Sequence, residues 1–172
     1  VSDRIEHCDD CLKYARPWTH GRAAMTYRDN GRKLVLALKH GDRHDIIRPA
    51  GLWMAQAAKD IVDETCLFAP VPLHWTRLLK RRYNQAAVLA KHIGSRLGAD
   101  VDVAALKRNH ATPQLKGKTR DERHEALRNA IKIGHSNVSS VTDRHVLLID
   151  DVMTTGTTIE RCGETLQEGY PS

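Results

Sequence analysis

Aromatic residues are scarce in this sequence: one Phe, three Trp and four Tyr make up 5% of 172 residues, although 41% of the chain is hydrophobic. A core drawn from that stock is aliphatic and small, and the length suits about one domain. Long apolar runs are missing as well. No stretch reaches the roughly 18 residues of a bilayer span, and no secretory signal opens the chain, so the expected setting is the cytoplasm. Cysteine is limited to Cys8, Cys11, Cys66 and Cys162. Only the first two are close in sequence, and a disulfide framework is not expected. Acidic residues number 21 against 27 Lys and Arg, a formal charge of +6. That balance selects an anionic partner without separating nucleic acid from a phosphorylated small molecule. The chain opens on Val1 and its closing EGYPS follows directly on a helical pattern, which reads as a fragment trimmed at its ends.

Hydrophobic spacing organises the rest. The stretch KLVLALKHG after Gly31 predicts an apolar helix stopped by Gly41, and Leu52, Ala55, Lys59 and Val62 predict a second helix after Pro49. Residues 66–73, CLFAPVPL, read as a buried strand running into a turn. The basic stretch HWTRLLKRRYNQ then reads as a loop, followed by a helix with Ala86, Leu89, Ala90, Ile93 and Leu97 on one face and Gly98 as its cap. Val101, Val103 and Ala105 alternate as a strand would. Residues 107–125 are polar and read as a mobile loop, Ala130 to Ile133 as a strand, and 134–143 as a loop. Val146 to Ile149 has the unbroken apolar character of a central parallel strand, and Ile159, Cys162 and Leu166 mark a final helix ending near Gly169. Strands alternating with helices predict an α/β fold on a mainly parallel sheet.

The chemistry concentrates at the end of the last strand, in VLLIDDVMTTGTT at 146–158. Ligands of open parallel sheets bind beyond the carboxyl ends of the strands, where Asp150 and Asp151 fall. In the next segment, Thr154, Thr155, Gly156, Thr157 and Thr158 gather amides and hydroxyls in front of a helix N-terminus, an arrangement suited to a phosphate. Two adjacent acids can accept hydrogen bonds from the vicinal hydroxyls of a sugar, so the spacing predicts a ribose 5-phosphate. A bare acid pair of this kind would more often be a helix cap. Arg77, Lys80, Arg81 and Arg82 can neutralise a diphosphate, since guanidinium forks match phosphate oxygens, though charge runs are commonly solvated surface. Cys8-x2-Cys11 supplies two of the four ligands structural zinc wants, with His7 and His20 as further donors. Cys66 and Cys162 read as core thiols.

The pattern of four apolar residues, two acids, two variable residues and TTGTT resembles the phosphoribosyltransferase signature. With PVPLHWTRLLKRRYNQ and ATPQLKGKTRDER added, the chain resembles the ComF-like competence proteins, a group related to type I phosphoribosyltransferases. The chain departs from that pattern at Arg82-Tyr83, where the family has Gly-Phe, and at Ala126, where an Asn is usual.

This resemblance implies a phosphoribosyltransferase-like domain at 23–172, lacking its C-terminal end, behind a partial zinc-binding module at 1–22. It implies 5-phosphoribosyl 1-pyrophosphate as ligand, held with Mg2+ by Asp150, Asp151, Arg81 and Thr154 to Thr158. Arg77, Lys80, Gln114, Lys116 and Arg123 are the implied catalytic group, with Thr112, Lys118 and Arg120 on the same flexible loop. Cys8 and Cys11 would be half of a structural zinc site in the intact protein. The acceptor is unidentified. A non-catalytic sensing or docking role in DNA uptake competes with transfer. Direct binding of single-stranded DNA would be weak, because few aromatics accompany the basic tracts.

Overall fold

The computed structural model describes residues 12–13, 15–40, 43–109, 119, 122, 130–134, 141–142 and 144–170. Helix α1, Asp29–His40, and helix α2, Ile47–Ala58, are joined by a short 3-10 turn at His44–Ile46 and precede strand β1, Leu67–Pro70. Helices α3, Trp75–Arg81, and α4, Gln85–Leu97, follow, then β2, Asp100–Val101, and β3, Leu106–Arg108. Strands β4, Ile131–Ile133, and β5, Val146–Ile149, lead to the last helix, α5, Thr157–Gly169. Among the described residues no helix is long and apolar enough to cross a membrane.

Strand β1 is the middle of a parallel three-stranded sheet in the order β2-β1-β5. All four of its residues are buried, as its unbroken apolar sequence requires of a strand covered on both faces. The register pairs Leu67 with Val146 and Pro70 with Ile149. Side chains alternate across the sheet and divide the core in two. Phe68 and Ile149 join Leu38, Ile47, Ala55, Leu89 and Ile93 beneath α1, α2 and α4. On the other face Leu67 and Val71 join Leu106, Ile131, Cys162 and Leu166 beneath α5 and the β3–β4 pair. Gly94 lets α4 approach the sheet: a Cβ there would fall 2.4 Å from Val101 Cγ2.

Four local expectations are corrected. The basic stretch after β1 is helical, because the His74 ring nitrogen accepts the Thr76 amide at its start and the Leu, Lys and Arg that follow are good helix formers. Helix α2 begins ahead of Pro49, which its first turn tolerates since no intrahelical donor is needed there, and ends before Lys59. The strand through Val103 stops at Val101. Asp102 accepts the Ala104 amide at 2.8 Å, a turn that diverts the chain and leaves Val103 47% exposed. Residues 106–108, placed partly in the loop, form β3 and pair antiparallel with β4, so a two-stranded antiparallel sheet stands beside the parallel one.

Candidate functional site

The parallel strands β1 and β5 end level with each other, the Val71 amide donating to the Ile149 carbonyl at 2.8 Å. The turn after β1 is tied back by Asn84, whose side-chain amide donates to the Val71 carbonyl at 3.0 Å while its oxygen caps α4 through the Ala86 amide at 3.1 Å. One residue beyond β5 the alternation of the strand still governs direction. Ile149 belongs to the core under α1, and the next two residues diverge. Asp150 lies within electrostatic reach of Arg108 on β3 and Cys162 on α5, whereas Asp151 is paired to Lys39 on α1 at 2.9 Å. The two acids of the sequence motif thus face different elements.

Their electrostatics differ accordingly. Burial pushes the Asp150 carboxyl up, to about 7, and the adjacent Asp151 charge pushes it the same way; the Asp151 amide, donating at 2.8 Å, and Lys39 oppose the shift. Burial likewise lowers the Arg108 guanidinium. The nearby Arg77 charge adds to that shift and Asp150 works against it. Arg77 and Arg108, from separate elements, thus lie close enough to repel each other, with Asp150 within electrostatic reach of Arg108.

Past the acids, Gly156 takes the left-handed conformation, with φ at 78°, and its carbonyl accepts the Glu160 amide at 2.8 Å to open α5. The Thr155 and Thr157 hydroxyls lie 2.9 Å apart, Thr154 and Met153 are exposed, and Thr158 is half-buried. The Thr155 and Thr157 hydroxyls stand at the glycine turn that opens a 13-residue helix, whose positive end can take an anionic oxygen.

Of the residues singled out in the sequence, Asp150, Asp151 and Thr154 to Thr158 lie in one segment between β5 and α5, and Arg77 is within electrostatic reach of Arg108. Arg81 is turned to Gln85 at 3.4 Å. Lys80 lies on α3. Thr112, Gln114, Lys116, Lys118, Arg120, Arg123, His7, Cys8 and Cys11 lie outside the described residues. His20 is exposed, its ring 3.1 Å from the Thr19 hydroxyl. Cys66 and Cys162 are buried thiols, as expected.

Sequence reading missed Lys39 and Arg108, because a lysine near a helix end and an arginine ending a short strand are ordinary surface residues until the fold brings them to the acids. At the opposite end of the strands, Asp63, Cys66 and His145 hold ligand-type atoms within 4.8 Å of one another. Those atoms are engaged in the turn itself: Asp63 accepts from Thr65 and meets the His145 ring at 2.8 Å, and its amide reaches Cys66 Sγ at 3.4 Å.

The fold and this turn define an α/β protein with an acid pair and a glycine-turned loop at the carboxyl end of a parallel sheet. The family described as phosphoribosyl transferase domain matches residues 84–172. Competence protein F of Haemophilus influenzae is 27% identical over 168 residues, covering 95% of this chain and 73% of that protein. The DNA utilization protein YhgH of Escherichia coli K12 is 26% identical over 164 residues, covering 92% of this chain and 70% of that protein. Its counterpart in Salmonella typhimurium is 27% identical over the same shares. This chain belongs to the phosphoribosyl transferase domain family, in its ComF-like competence-protein branch.

Proposed function

We propose that the chain binds 5-phosphoribosyl 1-pyrophosphate at the end of β5 and uses it in phosphoribosyl transfer to an acceptor, in a role linked to DNA uptake. The observation that carries this reading is the divergence of Asp150 and Asp151 directly before the Gly156 turn. It provides two carboxylates for the ribose hydroxyls and an anion-accepting helix end for the 5-phosphate. Arg77 and Arg108, close enough to repel each other, suit the diphosphate. The printed names of the relatives, a competence protein and DNA utilization proteins, support the link to DNA uptake.

Magnesium would neutralise the diphosphate and withdraw charge from the leaving group. The donor set fits a cation carried by the ligand. Asp151 is already paired with Lys39 and Asp150 is held towards its protonated form, so the acids make a poor cage, while Mg2+ keeps waters and takes phosphate oxygens readily. The chain's own work is to orient the hydroxyls through the acids and to hold the phosphate by amides and hydroxyls of 154–158. Gln114, Lys116 and Arg123, with Lys80 and Arg81, belong to the same proposal, as does zinc at Cys8 and Cys11 in a module at 1–22.

Calorimetry with Mg2+ present tests the reading. Replacing Asp150 and Asp151 together by Asn keeps their size and removes charged acceptors, each worth roughly 1.5 to 3 kcal/mol. Affinity should fall about tenfold or more per contact. A parent that does not bind, or a double variant that binds equally well, rejects the proposal. Pyrophosphate release over a panel of bases and amines then separates transfer from a sensing role.

A second reading has one specific observation behind it. Trp75 is 61% exposed on α3, the helix that also carries Arg77 and Arg81, an aromatic beside cations as single-strand binders use. Fluorescence anisotropy with single-stranded DNA should give weak binding that falls steeply with salt and weakens further in Trp75→Ala. Tight, salt-independent binding would contradict it.

A further inference from the structure

The glycine-turned loop is not locked from within: Gly156 is the N-cap of α5 and offers no side-chain cap. A helix start of that kind frays unless something outside it holds it. The holding contacts come from the far end of the chain. Arg16 Nη1 donates to Glu160 Oε2 at 3.0 Å, with the two side chains 7% and 5% exposed. The Arg16 guanidinium also lies 5.3 Å from the centre of the Trp18 ring. A Cβ built on Gly156 would stand 3.4 Å from Trp18 Cη2 and 3.8 Å from Arg16 Nη1. One turn past Glu160, a Cβ on Gly163 would stand 3.3 Å from both Pro17 Cγ and the Pro17 carbonyl oxygen. Arg16, Pro17 and Trp18 thus lie along the first two turns of α5, against positions 156, 160 and 163.

The charge matters as much as the packing. Glu160 is the only acid in the first turn of α5, and it is buried. A carboxylate in that place suits the helix dipole, but on its own it opposes any anion brought to the same helix end. Arg16 cancels it at 3.0 Å.

We propose that Arg16–Pro17–Trp18 is a positioning strap for the anion-accepting turn. Arg16 neutralises Glu160 so that the helix end remains attractive to phosphate, and Trp18 and Pro17 brace Gly156 and Gly163. Arg16 and Trp18 are positioning residues that act through the loop. The inference rests on the reading of that loop as a phosphate site, and it adds that the N-terminal segment sets the site's affinity.

The test uses the full chain with Arg16→Met, Arg16→Lys, and the double variant Arg16→Met/Glu160→Gln. Amide hydrogen exchange without ligand is read at 156–160 and compared with β1. Calorimetry with 5-phosphoribosyl 1-pyrophosphate and Mg2+ gives the affinity. Arg16→Met should speed exchange at 156–160 about tenfold while leaving β1 unchanged. It should also weaken binding about tenfold, the scale of an uncancelled charge at a helix end in a partly buried place. The double variant should regain at least half of that loss on a logarithmic scale, because it removes the uncancelled charge, a recovery no purely structural loss would show. Arg16→Lys should retain most of the affinity. If Arg16→Met does not fold, the Arg16→Lys and double variants carry the comparison.

The strap is wrong if exchange rises evenly through the chain, or if affinity is untouched while the loop exchanges faster. A parent that binds no ligand overturns the proposed function instead, and local exchange still decides whether the strap holds the loop.

Discussion

Lys39 Nζ stands 2.9 Å from Asp151 Oδ1, so a lysine in the last turn of α1 pairs directly with the second acid of the β5 motif and acts on the first, Asp150, only through space. Tyr83 fixes the geometry from the other side, its hydroxyl donating to the carbonyl of Leu38 at 3.1 Å, one residue before that lysine. The segment after α3 is thereby tied to the end of α1 that carries the lysine.

Removing the lysine should move the pH dependence of binding. Asp150 must be ionised to accept two hydroxyl hydrogen bonds, so affinity for 5-phosphoribosyl 1-pyrophosphate should rise as pH passes its ionisation near about 7. Lys39 is one of the groups that lower this ionisation. In Lys39→Met the midpoint of the affinity profile should shift to higher pH, followed by calorimetry from mildly acidic to alkaline buffer. A shift to lower pH would contradict the arrangement.

Asp150 should trade stability for its place in the site. Its folded-state ionisation is raised above that of the unfolded chain. The stability contributed by its neutral form is complete below the ordinary carboxylate range and is lost as pH rises through about 7. Asp150→Asn should accordingly melt a few degrees higher than the parent at pH 8, a difference of about 2–4 °C for each kcal/mol in a domain of this size. The gap should close as pH falls towards the acid range. Thermal melts at matched ionic strength check it, and a gap that widens on acidification would show the sign to be wrong.

Arg82 ends α3 with φ at 67°, a left-handed position that favours glycine and here carries a side chain. The strain is about 1 kcal/mol for a non-glycine residue. Arg82→Gly should stabilise the fold by a part of that, offset by the greater freedom glycine has when unfolded. A denaturant midpoint that moves down would mean that the Arg82 side chain makes a compensating contact.

Gly156→Ala should do the opposite at the loop. Its φ of 78° is left-handed, and the nearest atom to a new Cβ, Trp18 Cη2, is at an ordinary 3.4 Å, so backbone strain and not crowding is the cost. About 1 kcal/mol of stability should be lost, and affinity should fall with it because the turn's amides are displaced. Denaturation and calorimetry on the same preparation read both.

Much of the fold was legible because it rests on local pattern. The unbroken apolar runs LFAP and VLLI became adjacent parallel strands, but the central, fully buried one is LFAP, while VLLI lies at the edge of the described three-stranded sheet with only Ile149 buried; the period of Ala86, Leu89, Ala90 and Ile93 became the buried face of α4. The failures have separate local causes. Val103 alternates like a strand residue, but the Asp102 side chain offered the backbone a turn instead. The basic stretch of α3 looked like a loop because charge density hid good helix formers behind a His74 cap.

From the sequence alone came the acid pair, the threonine and glycine loop and the parallel α/β class, since each depends on residues adjacent in the chain or on a period of two or 3.6. Only the tertiary structure decided that Lys39 would meet Asp151, that Arg77 and Arg108 would confront each other near Asp150, and that Arg16 would pair with Glu160 from the other end of the chain. Each of these is a long-range pairing between charged residues with no period or spacing to announce it. Its energy exists only once the sheet has brought separate elements within a few ångströms and excluded the water that would otherwise screen them.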